Sequence, residues 1–424
     1  RGRESIQVIW EELEVQLQGV PLRRRIRAGH LVMMKTKMER TGLRIFSPVK
    51  VELSCLWTLA VLLLGGFSWA KTPGPNPGHP TLLSPHSDPI VFHAGQVFVV
   101  NTPADTLDVI DAATARVTAR IPTGIDPVSV RVRPDGREIW VSNHLSDSVS
   151  VIDNDPESPT YLSVVATIQD IDLEKKSTRF DEPVGIAFAN NEKAYVALSS
   201  TNRIAVIDVA SRKATRYLRI PAQEPRAMEV RGGRLYVTPF ESNNQTQLSG
   251  GKPGDLDGKL VTFDARKLAG AFDSVGFTVD VVKQPKIPDR DLFIFDTRTD
   301  KLVSTVETLG TSLFGLTVDA AGNIYVANTD ARNHINGKAG TAKHGLKELD
   351  NRPYLNRVTK VSAGGEVDFF QLNPLPPQQP NRKEAVATPF AVKASRDGDV
   401  LFLTSAGSDV LLALSVKTGE VVAK

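Results

Sequence analysis

The sequence predicts an all-β chain, a β-propeller of four-stranded antiparallel blades, and three observations carry that expectation. The first is alternation. Between residues 91 and 136, short runs of alternating apolar and polar residues (Val97 to Asn101, Thr106 to Asp111, Arg116 to Ile121, Val128 to Val132) are separated by turns rich in Gly, Pro, Asn and Asp. A period of two is the mark of strands with one face on a core. The second is recurrence. Val109-Ile110-Asp111 returns as Val151-Ile152-Asp153, 42 residues later, then as Val206-Ile207-Asp208 and loosely as Phe293-Ile294-Phe295-Asp296. That spacing falls within the roughly 40 to 45 residues of a propeller blade. The third is the lack of a competing helical period. A four-stranded sheet this small cannot bury both faces alone, so successive units must stack around an axis.

The strand before each of these motifs repeats as well. Val97-Phe-Val-Val-Asn101 is followed by Ile139-Trp-Val-Ser-Asn143, Ala194-Tyr-Val-Ala-Leu198, Leu235-Tyr-Val-Thr-Pro239, Ile324-Tyr-Val-Ala-Asn328 and Leu401-Phe-Leu-Thr-Ser405. With Ser148-Val-Ser-Val-Ile-Asp153, Ile121-Pro-Thr-Gly124 and Pro134-Asp-Gly136, these residues resemble the YVTN-repeat β-propeller family of exported, lactonase-like propeller proteins. The resemblance covers about residues 88–424 and implies fold. It leaves function open, because the same blades serve lactonases, redox-partner domains and binding proteins.

Taken in order, the chain begins with Arg1, and residues 1–32 show no blade pattern; they read as an unassigned or spurious extension. Residues 33–70 run from Met33 and Met34 through Lys35, Lys37, Arg40, Arg44 and Lys50 into the apolar stretch Leu53 to Ala70, ending Ser68-Trp69-Ala70. A basic region, an apolar region and a small-x-small site in that order predict a cleaved secretory signal, the rival being an uncleaved anchor. Residues 71–87 form a Pro/Gly-rich linker, and residues 88–424 carry the propeller.

Without the leader, residues 71–424 hold 40 Lys and Arg against 42 Asp and Glu, a formal charge of −2. A near-neutral domain lacks the electrostatic footprint of a nucleic-acid binder, so no nucleic acid is expected. The single cysteine, Cys55, lies in the leader, which leaves the propeller without disulfide, thiolate metal site or CxxCH haem attachment. A periplasmic or secreted monomer is expected, with no membrane contact beyond the signal segment.

The inner strands read as Ile90 to His93, Val128 to Val132, Val184 to Phe188, Ala227 to Val230, Phe314 to Val318 and Phe390 to Ala394. Six repeats are therefore visible, the last running through Val410 to Ser415 and Glu420 to Ala423. A seventh blade or a further domain is expected beyond residue 424, the alternative being a closed six-bladed ring. Insertions fall near residues 241–290, 329–355 and 373–386, where loops on a rigid scaffold either form a functional cap or are solvated decoration.

One constellation stands out. Four inner strands are entered through a carboxylate and a proline, Asp88-Pro89, Asp126-Pro127, Glu182-Pro183 and Glu224-Pro225, with Thr388-Pro389 a fifth and Ser312-Leu313 in the remaining blade. Inner strands start together at one mouth of the axial channel, so these side chains would form a ring of acceptors facing Arg226. Such a ring suits a polar ligand or a hard cation such as Ca²⁺; no other cofactor is evident. The competing reading is turn chemistry, with each acid capping local amides. His144, beside Asn143, and the equivalent Asn101 and Asn328 could line a pocket at strand ends, or could be turn formers bonded to their own backbone. His79, His86 and His93 lack metal-ligand spacing, and Asp255-Leu-Asp257-Gly258 is a calcium-loop fragment without its Glu.

Two functions follow as expectations. The first is an exported, non-catalytic propeller that serves as a binding or scaffold module for a partner protein, a polymer or a redox domain, including a C-terminal cytochrome-type domain of the kind the family resemblance implies. The alternative is a lactonase-like hydrolase in which Glu182 or Glu224 is general base and Arg226 stabilises the oxyanion.

Overall fold

The computed structural model describes residues 85–242, 246–249, 280–283, 289–332 and 349–424. The signal and the Asp255 to Gly258 fragment lie outside these residues, as do His79, most of the first insertion and part of the second.

Strands follow one another as meanders. Blade 1 is β1 (Ile90–His93), β2 (Gln96–Asn101), β3 (Thr106–Asp111) and β4 (Arg116–Pro122); blade 2 is β5 (Pro127–Val132), β6 (Glu138–Asn143), β7 (Ser148–Asp153) and β8 (Val164–Ile168). A small hairpin, β9 (Ile171–Asp172) and β10 (Ser177–Thr178), precedes blade 3, which is β11 (Pro183–Phe188), β12 (Lys193–Leu198), β13 (Arg203–Asp208) and β14 (Lys213–Arg219). Blade 4 joins β15 (Gln223–Arg231) and β16 (Arg234–Glu241) to β19 (Arg290–Asp296) and β20 (Lys301–Glu307), with the hairpin β17 (Thr246–Ser249) and β18 (Asp280–Lys283) projecting between them. Blade 5 is β21 (Ser312–Val318), β22 (Ile324–Ala331), β23 (Tyr354–Val361) and β24 (Val367–Gln371); blade 6 is β25 (Pro389–Ala394), β26 (Val400–Ser405), β27 (Val410–Ser415) and β28 (Val421–Ala423). A single pairing, Glu241 with Ser312, links blades 4 and 5. The alternation read from the sequence places most of these strands to within a residue or two, because each apolar residue that alternates has a neighbouring blade to face; β15 starts four residues before the Ala227 read from the sequence and β22 ends three beyond Asn328.

Blades are held together by apolar side chains from facing sheets. Phe98, Leu107 and Val109 of blade 1 pack with Val130, Ile139 and Val141 of blade 2; Trp140 and Val151 of blade 2 pack with Ile186, Val196 and Ile207 of blade 3. Equivalent clusters lie between blades 3 and 4, 4 and 5, and 5 and 6. The second strands of interior blades, β6 and β12, are therefore buried on both faces. On the outer faces of blades 1 and 6, by contrast, Ile90, Phe92, Phe402 and Leu411 are exposed. Trp140, fully buried, meets Phe188 edge-on with ring centroids 4.9 Å apart and donates from Nε1 to Glu138 at 2.9 Å.

The inner strands approach each other closely at glycine. A Cβ on Gly315 would lie 2.5 Å from the Phe390 carbonyl oxygen, and one on Gly185 would collide with that of Arg226. No helix among the described residues is long and apolar enough to cross a membrane.

Candidate functional site

At the mouth where the inner strands start, the residue before each proline adopts the left-handed conformation: Asp126, Glu182, Glu224 and Thr388 have φ of 62°, 50°, 56° and 55°. Asp126, Glu182 and Thr388 accept backbone N–H donors on their carbonyls from the ends of the adjacent strands, namely His144, Ser199 and Ala406. The amide of each is held from the preceding blade. Asp126 donates to Asp105 Oδ1 at 2.8 Å, Glu182 to Asp147 Oδ1 at 3.0 Å, Glu224 to Asn202 Oδ1 at 2.9 Å and Thr388 to Asn356 Oδ1 at 2.8 Å. Asp291 serves the remaining junction through the amides of Leu309 and Gly310. These latches were missed in the sequence. Asp105, Asp147 and Asn202 sit alike in the turn before a third strand, themselves at φ of 57°, 50° and 55°, and that shared place was the available signal.

The side chains of this mouth converge only in part. Arg226 pairs with Glu224, holds its Cζ over the Phe240 ring 3.8 Å from the centroid, and keeps its Nε buried without a hydrogen-bond partner. Phe240 in turn meets Phe314 at 5.4 Å, and Phe314 meets Phe390 at 5.5 Å, so one side of the mouth is aromatic. On the other side stand Asp147, Asp181, Glu182 and His144. Glu182 takes a hydrogen bond from Ser199 Oγ at 3.3 Å, and burial followed by the charge of Asp181 raises its carboxyl above the ordinary range. Burial raises Asp147 in the same way and lowers His144, whose Nδ1 is buried and unbonded, although the charge of Asp126 opposes that shift. Burial also lowers Arg226, but Glu224 opposes the shift.

Asp88 does not take its place in that ring. Pro127 and Pro389 pair with Asn143 and Ser405 and are followed by a register shift, whereas Pro89 accepts from Val100 and β1 continues in register. Asp88 therefore lies further along the channel, where its carbonyl accepts from Val130 of blade 2 and its carboxylate pairs with Arg131 and, at 3.0 Å, with Lys393 of blade 6. Burial pushes this carboxyl up, but Arg131 and Lys393 outweigh it and hold it below the ordinary range.

The asparagines lie at strand ends with their side chains engaged by the protein. Asn143 is fully buried and donates to Ser148 and Ser150; Asn328, also buried, donates to the Leu309 carbonyl and accepts from Thr359; Asn101 reaches Asp108 at 3.4 Å. His86 bonds Thr102 at 2.7 Å. Among the described residues no three His, Cys, Asp or Glu side chains are gathered as a metal site.

The inner strands end around a second feature, a cavity of about 550 Å³ lined by five of them, including Arg131 of β5, Glu229 of β15, Thr317 of β21 and Lys393 of β25. These residues, with Ala187 of β11, sit four places beyond the proline or its equivalent in each strand, a ring the sequence reading did not single out. Residues 80–182, the approach to the ring and its first two blades, match the family described as YNCE-like beta-propeller. The chain is a β-propeller. Among solved structures this propeller is similar to the Kuenenia stuttgartiensis hydrazine synthase, at 19% identity over 89% of this chain and 81% of that one, with a TM-score of 0.53. It is also similar to a putative 6-phosphogluconolactonase from Bacteroides uniformis, at 15% identity over 78% and 81% of the two chains with a TM-score of 0.47. A third, virginiamycin B lyase from Staphylococcus aureus, has 12% identity over 80% and 84% with a TM-score of 0.46. At such identities the likeness concerns the fold alone. No curated protein matches the propeller significantly.

Proposed function

We propose that this propeller is an exported, non-catalytic binding module that receives a protein partner at the mouth where its inner strands start. The observation that supports this most is Arg226 held over Phe240 beside Phe314 and Phe390. Arginine and aromatic side chains held in place by their neighbours carry most of the free energy of protein recognition. The buried Nε of Arg226 has an unused donor, which a carbonyl or carboxylate from a partner would satisfy. The strands β16 and β22, after which the insertions near residues 241–290 and 329–355 follow in the chain, end at the same mouth. A covalent or separate cytochrome-type redox domain remains a candidate partner.

A photo-crosslinking amino acid in place of Phe314, in cells making the exported chain, tests this reading. A discrete covalent adduct is expected that disappears with Arg226→Ala and never forms when the probe replaces Thr299 on an outer turn. Indistinguishable adducts from both positions would sink it. Export itself is tested by sequencing the N-terminus of the periplasmic or secreted product, which should begin just after Ala70.

A hydrolase reading is favoured by one observation, the raised carboxyl of Glu182 within electrostatic reach of Arg226. A base whose pKa is lifted toward neutrality is suited to activating water, and a nearby guanidinium to holding an oxyanion. Hydrolysis of a lactone panel that is lost in Glu182→Gln or Glu224→Gln would replace the binding reading; no turnover of any lactone retires the hydrolase.

A further inference from the structure

The opposite end of the channel carries its own chemistry, independent of the mouth just described. The cavity of about 550 Å³ is within the range of small-molecule sites. Its floor is balanced. Arg131 is spent on Asp88 and on the carbonyls of Ile186 and Met228, and Lys393 stands 3.0 Å from Asp88 and 3.7 Å from Glu229. Its rim is not. Arg231 and Arg396 line the opening, both are exposed, and neither has an ion-pair partner among the described residues. Asp319, which also lines the cavity, is consumed by the Asn323 amide and side chain and by the Tyr325 hydroxyl.

Unpaired guanidiniums at the rim and the carboxylate of Glu229 in the wall therefore border the same cavity. The rim guanidiniums offer forked donors that match a carboxylate. Glu229 Oε2 is buried and accepts no hydrogen bond, and Lys393 is too distant at 3.7 Å to supply one. A buried acceptor in that state favours any ligand that brings a donor. Walls of mixed sign also reject a simple anion from the floor, where Glu229 would repel it, so charge belongs at the rim and hydroxyl groups below.

We propose that this cavity binds a small hydroxylated carboxylate, its acid group on Arg231 and Arg396 and a hydroxyl donating to Glu229. Isothermal titration calorimetry on the full chain tests this with L-tartrate, succinate and erythritol as probes. Tartrate should bind saturably, succinate, with the same acids and no hydroxyls, at least about tenfold more weakly, and erythritol not at all; a tenfold change corresponds to about 1.4 kcal/mol. The double variant Arg231→Ala/Arg396→Ala, altering only exposed rim side chains, should weaken tartrate by more than about tenfold while leaving the unfolding midpoint unchanged. No saturable heat with tartrate at about 10 mM overturns the site, since even a Kd near 1 mM would be visible there. Equal binding of succinate overturns the role of Glu229, and undiminished binding by the double variant overturns the role of the rim.

Discussion

Removing a single latch acceptor should loosen the joint between two blades. In Asp147→Ala the Glu182 N–H loses its acceptor at 3.0 Å, and leaving a partly buried amide unbonded costs about 1–2 kcal/mol. Residue 147 also holds φ at 50°, where a carboxamide or carboxylate side chain is tolerated better than a methyl, adding about 1 kcal/mol. The expected loss is thus roughly 2–3 kcal/mol in urea unfolding followed by circular dichroism. Asp147→Asn separates geometry from charge. The amide oxygen can accept as Oδ1 does, as Asn202 already shows one blade later, and the substitution deletes a carboxylate whose ionisation burial disfavours. That variant should fall within about 0.5 kcal/mol of the parent. If Asp147→Ala unfolds at the parent's midpoint, or if Asp147→Asn loses as much as Asp147→Ala, the latch does not hold the joint.

Three further outcomes follow from the same geometry. Gly315→Ala forces a Cβ to 2.5 Å from a rigid carbonyl and should cost more than about 2 kcal/mol, whereas Gly398→Ala, at φ 81° in open space, should cost only about 1 kcal/mol; unfolding midpoints in the reverse order would contradict the close approach of β21 and β25. Glu182 is raised in the folded state, so its ionisation draws stability away as pH climbs above its ordinary 4.5; the advantage of Glu182→Gln over the parent should be absent near pH 4 and grow toward pH 7 in parallel melts, and a constant offset would refute the burial of this carboxyl. Asp88 is lowered, so it contributes stability above its ordinary 3.8 that vanishes as pH falls through the folded value; Asp88→Asn should be less stable than the parent at pH 7 and equal to it at the acid end, and equal stability at pH 7 would contradict the pairing with Arg131 and Lys393.

Much of the blade architecture was legible because its signals are local. Alternation in Thr106 to Asp111 and Val410 to Ser415 fixes strands whose ends agree with the structure residue for residue. The carboxylate before four of the prolines was visible too, but what it does was not. Asp126, Glu182 and Glu224 look equivalent to Asp88 along the chain, yet one missing register shift carries Asp88 down the channel to Arg131. The partners of the other three, Asp105, Asp147 and Asn202, stand 21, 35 and 22 residues upstream, in left-handed turns that favour Asp and Asn for local reasons and do not by themselves say which amide each will hold.

The sequence by itself determined that this chain repeats a four-stranded unit and that its inner strands open on proline, since steric limits and period-two burial act within a few residues. Only the tertiary structure decided which charges meet. Arg131, Glu229 and Lys393 come from blades 2, 4 and 6, and Phe240, Phe314 and Phe390 from blades 4, 5 and 6, brought together because stacking sheets around an axis gathers positions that share no proximity along the chain.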